Sequence, residues 1–160
     1  MWLTLLACTP PDPQVDAWHR AFEIDAMTRA DGDCGSPAVD DVPEEPYLFV
    51  AVDRGLPDIA SLYWCREPKD CVAPFASVWL RKLTETALEG DLSDGDFDGS
   101  LCQIRWDRIV ASQQGGKLDL VYETGGSTVT ASVDECDAAA EQLLGDTCLS
   151  TLTFRGTDAE

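Results

Sequence analysis

The sequence contains little positive charge. Of its 160 residues, 11 are Lys or Arg and 30 are Asp or Glu, which gives a formal net charge of −19 at pH 7. Lysine occurs only at Lys69, Lys82 and Lys117. Because a surface this acidic repels phosphates, the composition argues against binding to nucleic acid or to anionic lipid headgroups through charge. The bulk of the charge is best explained as a well-solvated surface.

The sequence also lacks the patterns of a metal or thiol redox site. His19 is its only histidine, and none of its seven cysteines forms a Cys-x-x-Cys pair. A Cys/His zinc site and a thioredoxin-type motif are therefore not predicted. The remaining explanation for so many cysteines is disulfide bonding in an oxidising compartment. Because seven is an odd number, one cysteine must serve another purpose.

Long hydrophobic runs that could span a bilayer are absent as well. The length of the chain leaves room for one domain. The first eight residues form a short apolar run that ends at Cys8. Leu5-Leu6-Ala7-Cys8 resembles the lipobox of bacterial lipoproteins. That resemblance implies a signal peptide over residues 1–7 and a diacylglycerol on the thiol of Cys8. In this family, Asp directly after the lipidated cysteine retains the protein at the inner membrane. Thr9 stands at that position here, so the resemblance implies the outer membrane.

A proline-rich segment follows the proposed lipidation site. Thr9-Pro10-Pro11-Asp12-Pro13-Gln14 is unsuited to a helix interior or a central strand and predicts a semi-extended spacer. We therefore expect a tether over residues 8–16 and a single β-rich domain over residues 17–160. The alternative is an ordinary buried N-terminal segment in which Cys8 is a free thiol.

The other six cysteines are disulfide candidates, and they allow many connectivities. Proximity in sequence suggests Cys65–Cys71 and Cys136–Cys148, which leaves Cys34 with Cys102. The six candidates are Cys34, Cys65, Cys71, Cys102, Cys136 and Cys148. Each bridge is expected to add roughly 2–4 kcal/mol of stability, which is sufficient reason for its presence.

Alternating apolar and polar residues predict antiparallel strands over residues 102–133. Gly115-Gly116 and Gly125-Gly126 are expected to be turns that divide this stretch into a three-stranded meander. Further strands are predicted near residues 18–26, 47–52 and 59–65. Residues 75–88 carry both helical and extended signals, and β-propensity favours strands there.

The C-terminal part changes period. Asp134 is suited to cap a helix that ends near Gly145, and a last strand is predicted from Cys148 to Arg155. The fold expected is mainly β, an antiparallel meander stapled by disulfides, with one C-terminal helix before the last strand. Its order of elements is similar to that of a lipocalin-like barrel, and a β-sandwich explains the pattern nearly as well.

Two local features are candidates for chemistry. Asp94, Asp96 and Asp98 form the Asp-x-Asp-x-Asp-Gly arrangement that begins calcium loops, but Arg105 stands where an EF-hand needs Glu. The alternative is a β-hairpin with Phe97 in the core. His19 is a potential general base for a periplasmic hydrolase, although no partner nucleophile is identifiable.

The remaining expectations concern binding. Trp18, Trp64, Trp79 and Trp106 are expected in the core, with a cleft as the alternative. The loop from Ala30 to Pro46 is long enough for a partner surface, and Cys34 would fix its shape. We expect a non-enzymatic envelope lipoprotein, without a cofactor, that binds a small apolar ligand or a protein partner. A purely structural role and a hydrolase are the alternatives.

Overall fold

A computed structural model describes residues 12–32, 37–145 and 147–159 of the chain. The elements, in chain order, are α1 (Pro13–Ala17), β1 (Arg20–Asp31), β2 (Val39–Asp41), β3 (Tyr47–Val52), β4 (Ile59–Glu67), β5 (Asp70–Leu83), β6 (Ala87–Phe97), β7 (Cys102–Gln114), β8 (Lys117–Val129), α2 (Val133–Gln142) and β9 (Cys148–Asp158).

The strands form a closed antiparallel barrel. From β3 to β9 each strand pairs with the next in sequence, and β1 pairs with β3 on one side and with β9 on the other. The barrel therefore has eight strands, and the short β2 pairs with the far end of β1. This arrangement decides between the two predicted architectures in favour of the barrel. It also confirms the single helix before the last strand.

Alternate side chains of each strand fill the barrel. Leu48, Val50 and Val52 of β3 are completely buried, and β7 and β8 contribute Ile109 and Leu120 to the same core. The intervening residues face outward, as period-two strands require. The ambiguous segment at residues 75–88 is extended, since β5 continues to Leu83 and β6 begins at Ala87.

Helix α1 closes one end of the barrel. Val15 is buried, and the indole N–H of Trp18 donates to the carbonyl oxygen of Thr84 at 2.6 Å. The side chain of Gln113 donates to the carbonyl oxygen of Ala17 at 2.7 Å. The predicted tether over residues 8–16 is therefore too long, because α1 is part of the folded domain. Pro13 is compatible with a helix because it occupies the first turn, where its missing N–H is not needed.

Helix α2 packs on the outer wall of the barrel. Cys136 and Ala140 contact Cys102 and Ile104, which lie on the face of β7 opposite to the core. The helix begins two residues earlier than predicted, because its N-cap is Ser132 rather than Asp134. The carboxylate of Glu135 accepts hydrogen bonds from the backbone N–H and the hydroxyl of Ser132, which lowers the pKa of Glu135.

The disulfides confirm one predicted pairing and correct the other two. Cys65 and Cys71 are bonded across the β4–β5 hairpin. Cys136 is bonded to Cys102, and not to Cys148, because the inner face of α2 lies over the start of β7. The expected Cys34–Cys102 pair is thereby wrong too. Cys148 is also disulfide-bonded, and Cys34 lies outside the described residues.

The expected turn at Gly125-Gly126 is wrong as well. Strand β8 passes straight through both glycines, so the predicted three-stranded meander consists of two long strands, β7 and β8. A Cβ atom at Gly125 would lie 2.3 Å from the indole ring of Trp106, and one at Gly126 would lie 2.6 Å from the carbonyl oxygen of Ile104. These glycines allow close packing on the outer wall. In contrast, Gly115 and Gly116 have positive φ and form the predicted turn.

Neither of the two helices in the described residues is long or apolar enough to cross a lipid bilayer.

Candidate binding surfaces

Aromatic side chains cross the barrel interior at the level of Trp64. The Trp64 ring stacks on Phe75 with 5.1 Å between centroids and meets Phe154 edge-on at 5.7 Å. Phe75 in turn contacts Tyr122 at 5.8 Å, although β5 and β8 are not neighbours in the sheet. An irregularity in the β4–β5 ladder beside Phe75 accompanies this inward contact. At this level, side chains fill the space that a ligand would need.

One polar contact lies on the inward side of β7 and β8. The phenol of Tyr122 donates to the carboxylate of Asp107 at 2.6 Å. Burial of the phenol, followed by this hydrogen bond, raises the pKa of Tyr122. The phenol therefore stays protonated at neutral pH, where it is a donor and a ring surface rather than a base.

His19 lies on the outer wall, where it contacts groups that cannot serve as a catalytic partner. Its Nδ1 atom is 3.3 Å from the carbonyl oxygen of Val52, and its ring meets Phe49 edge-on at 5.1 Å. Ser61 and Asp53 line the same groove. However, the Ser61 hydroxyl bonds to that of Ser77 and the Asp53 carboxylate accepts from the N–H of Gly55. No hydrogen bond among the described residues joins His19 to a nucleophile or a carboxylate.

The groove that contains His19 is mainly apolar. It encloses about 610 Å³ over the outward face of β3 and β4, and we name it the Phe49 groove. Phe49 and Tyr63 form its floor with 6.1 Å between ring centroids. Ile59 and the 57 % exposed Leu56 extend this apolar surface. Large apolar side chains gathered on an outer wall are unusual unless something covers them.

The Phe49 groove continues into a second hollow of about 860 Å³, with which it shares His19, Phe49 and Cys71. Charged side chains surround this part. Lys69 and Glu67 come from the β4–β5 hairpin, and the guanidinium of Arg20 bonds to the carboxylate of Asp158 at 2.6 Å. An apolar floor with a rim of both charges resembles the anatomy of a protein–protein interface.

The predicted calcium residues lie along a strand and a turn. Asp94 and Asp96 belong to β6, where they pair with Arg105 and Gln103 of β7. Asp98 follows the strand and accepts from the backbone N–H of Leu101 at 3.1 Å. This is the hairpin that the sequence offered as the alternative, but Phe97 packs in the outer cluster beneath α2 and not in the barrel core. In the part of the chain that the structure describes, no three His, Cys, Asp or Glu side chains are placed to hold a metal ion.

Three of the four predicted core tryptophans are buried, namely Trp18, Trp64 and Trp106. Trp79 is the exception, since 55 % of it is exposed. It lies beside a groove of about 780 Å³ that β5, β6 and α2 form together, which we name the Trp79 groove. Four carboxylates and one guanidinium line this groove: Asp91, Asp94, Asp137, Glu141 and Arg81.

No protein-family model, curated protein or solved structure matches this chain. The choice among the surfaces therefore depends on their own geometry. The predicted lipidation site at Cys8 lies outside the described residues, as does the centre of the loop from Ala30 to Pro46.

Sequence reasoning missed the Phe49 groove, although a signal for it is present. The stretch from Tyr47 to Val52 is apolar throughout, whereas a strand with one wet face alternates. Its odd members, Phe49 among them, lie on the outer wall. A continuous apolar run in a barrel strand indicates that both faces are covered or that the outer face binds something.

Proposed function

We propose that this chain is a non-enzymatic lipoprotein of the cell envelope whose barrel binds a protein partner in the Phe49 groove. The observation that carries the proposal is the continuous apolar floor from Leu56 through Phe49 and Tyr63, bordered by charged residues at both ends. Proteins that act alone rarely keep such a surface in water, because burying it is worth about 25 cal/mol per Å².

The proposed anchor is the lipidated thiol of Cys8, and the proposed location is the outer membrane. Support for an anchor comes from Leu5-Leu6-Ala7-Cys8 and the proline-rich residues that follow. Support for an oxidising compartment comes from the bonds Cys65–Cys71 and Cys102–Cys136, because such bridges are rare in a reducing cytosol.

A protein partner suits the groove better than a small ligand buried in the barrel does. The aromatic contacts from Trp64 to Tyr122 occupy the interior, while the Phe49 groove is long and open along the outer wall. A small-molecule site usually buries most of its ligand, which an open wall does not. A small apolar ligand in the same groove remains the competing occupant, and the test separates the two.

The test is site-specific photo-cross-linking of the full chain in the organism that makes it. A benzophenone amino acid replaces Phe49 in one variant and Val110 in the control. Val110 is 44 % exposed on the outer wall of β7, far from β3 in the strand order. We expect irradiation of the Phe49 variant to give one discrete product larger by the mass of a protein, and the Val110 variant to give none.

A product larger by only a few hundred daltons would mean that the Phe49 groove binds a small ligand and not a protein partner. Equal labelling at both positions, or none at Phe49, would refute the proposed site. The anchor is tested separately with an alkyne-labelled fatty acid, which should label the full chain and leave Cys8→Ser unlabelled. Equal labelling of the two chains would refute lipidation at Cys8.

A further inference from the structure

The barrel wall is incompletely paired between β5 and β6. Their ladder extends only from Leu83–Leu88 to Trp79–Asp91. On its other side β6 pairs with β7 as far as Phe97–Cys102, and β5 pairs with β4 as far as Asp70–Glu67. Among the described strands, none pairs with residues 92–97 on the side of β5. We name this stretch, Leu92–Phe97, the β6 edge.

The two strands separate just beyond a point of close contact. A Cβ atom at Gly90 would lie 2.7 Å from the carbonyl oxygen of Trp79, so only glycine lets the strands approach there. Trp79 pairs with Asp91 at the last rung of the ladder, and the strands diverge after it. The exposed indole therefore lies at the head of the gap, where the Trp79 groove begins.

The two sides of this gap differ in their ability to accept another strand. Strand β5 carries Pro74 and several register shifts toward β4, and both features protect an edge from pairing. The β6–β7 ladder has no register shift, so the β6 edge is straight and regular. An edge of this kind is a template for an added strand, since its backbone groups hydrogen-bond a partner's backbone.

The charge around the β6 edge restricts what can bind. Asp94 and Asp96 are exposed on the edge itself, and Asp137 and Glu141 of α2 line the adjoining groove. Arg81 bonds to Asp91 and also lies near Glu141, and this single guanidinium leaves the four carboxylates of the groove in excess. A second copy of this chain, with its net charge of −19, would be repelled, whereas a cationic segment would be attracted.

We propose that the β6 edge and the Trp79 groove together bind an extended segment, rich in Lys and Arg, of a partner protein. The segment adds a strand to β6 through backbone hydrogen bonds. Its basic side chains on the outer face lie near Asp137 and Glu141, and one of them packs on the exposed face of Trp79, where an aromatic ring attracts a cation. Trp79 pairs with Ile59 of the Phe49 groove, but the two surfaces share no lining residue, so either proposal stands without the other.

The test uses the full chain and a synthetic peptide in which Lys and Val alternate over eight residues. Hydrogen–deuterium exchange of the β6 edge is measured with and without the peptide. We expect the amides of residues 92–97 to exchange more slowly in its presence. A peptide of the same sequence with alternate backbone nitrogens methylated keeps every charge but loses donors, and it should give no protection.

Charge-reversal variants test the electrostatic part. The double variant Asp137→Lys with Glu141→Lys should weaken binding of the peptide by about tenfold, since attraction at two exposed positions becomes repulsion. The control variant, Asp119→Lys with Glu85→Lys, changes the net charge by the same amount at exposed positions that do not line the Trp79 groove. It should weaken binding of the peptide by less than about threefold.

Four results would overturn the proposal. The first is equal protection by the methylated peptide, which would mean that charge alone attracts it. The second is equal weakening by the two double variants. The third is binding of a Glu–Val peptide as tightly as the Lys–Val peptide. The fourth is protection of the β6 edge that rises with protein concentration in the absence of peptide, which would assign the edge to a second copy of the chain.

Discussion

The two described bridges close loops of very different length, and this predicts how much each stabilises the fold. Cys102 and Cys136 are 34 residues apart in sequence, whereas Cys65 and Cys71 are 6 apart. In the chain-entropy treatment, a disulfide that closes a loop of roughly 34 residues lowers the entropy of the unfolded chain by about 13 cal/mol/K, and one that closes a loop of roughly 6 lowers it by about 7 cal/mol/K. At 25 °C these entropies correspond to about 4 and about 2 kcal/mol.

The perturbation is replacement of each cysteine pair by alanine. The Cys102→Ala/Cys136→Ala variant should lose about 4 kcal/mol of unfolding free energy and the Cys65→Ala/Cys71→Ala variant about 2 kcal/mol. Packing acts in the same direction, because Cys102 and Cys136 are buried between α2 and β7 while Cys71 is partly exposed. Urea unfolding of both variants and the parent chain gives these differences, with the slope of each curve checked for a change in the unfolded state.

A larger loss from removing the hairpin bridge than from removing the α2 bridge would refute this reasoning. Peptide mapping of the oxidised parent chain is the accompanying control. It should yield a Cys102–Cys136 fragment, and a Cys136–Cys148 fragment in its place would overturn the pairing on which the calculation depends.

Two further changes test the outer wall and the interior. Gly125→Ala places a methyl group against Trp106 and should lower the unfolding free energy by about 1–3 kcal/mol through overpacking. The measurement is the Tm, which should be lower than that of the control Gly55→Ala, whose glycine lies in an exposed loop. Equal Tm values would contradict the close contact. Because burial raises the pKa of Tyr122, the folded state disfavours the phenolate, and the unfolding free energy should fall as pH rises above about 10. Tyr122→Phe should flatten that fall in urea unfolding, and unchanged pH profiles would show that another group titrates.

The strands were predictable because a strand with one face in water and the other in the core alternates polar and apolar residues. Cys102 to Trp106 and Leu118 to Tyr122 alternate as period-two strands, and β7 and β8 contain them. The order of elements also predicted a barrel as one of two solutions. Its closure depends on the pairing of β1 with β9, a contact between the two ends of the chain that no local pattern specifies.

Two of the errors share one physical cause, which is packing on the outer wall. Gly125 has the local signature of a turn, but its role is to make room for Trp106. Cys136 is nearer in sequence to Cys148 than to Cys102, yet α2 lies across the start of β7 and brings Cys136 to Cys102. Neither the contact of Gly125 with Trp106 nor the position of α2 on β7 is determined by proximity in sequence.

Because side chains fill the barrel interior, the candidate binding surfaces lie on its outer wall. In this chain the inward rows of apolar residues are used for the core, and aromatic contacts span the interior from Trp64 to Tyr122. The surfaces still available are those that packing leaves uncovered, and two of them differ sharply in character. The Phe49 groove is apolar, while the β6 edge is acidic and has backbone to pair. Because the two surfaces differ in chemistry, the occupants proposed for them differ as well, and a segment suited to one surface is unsuited to the other.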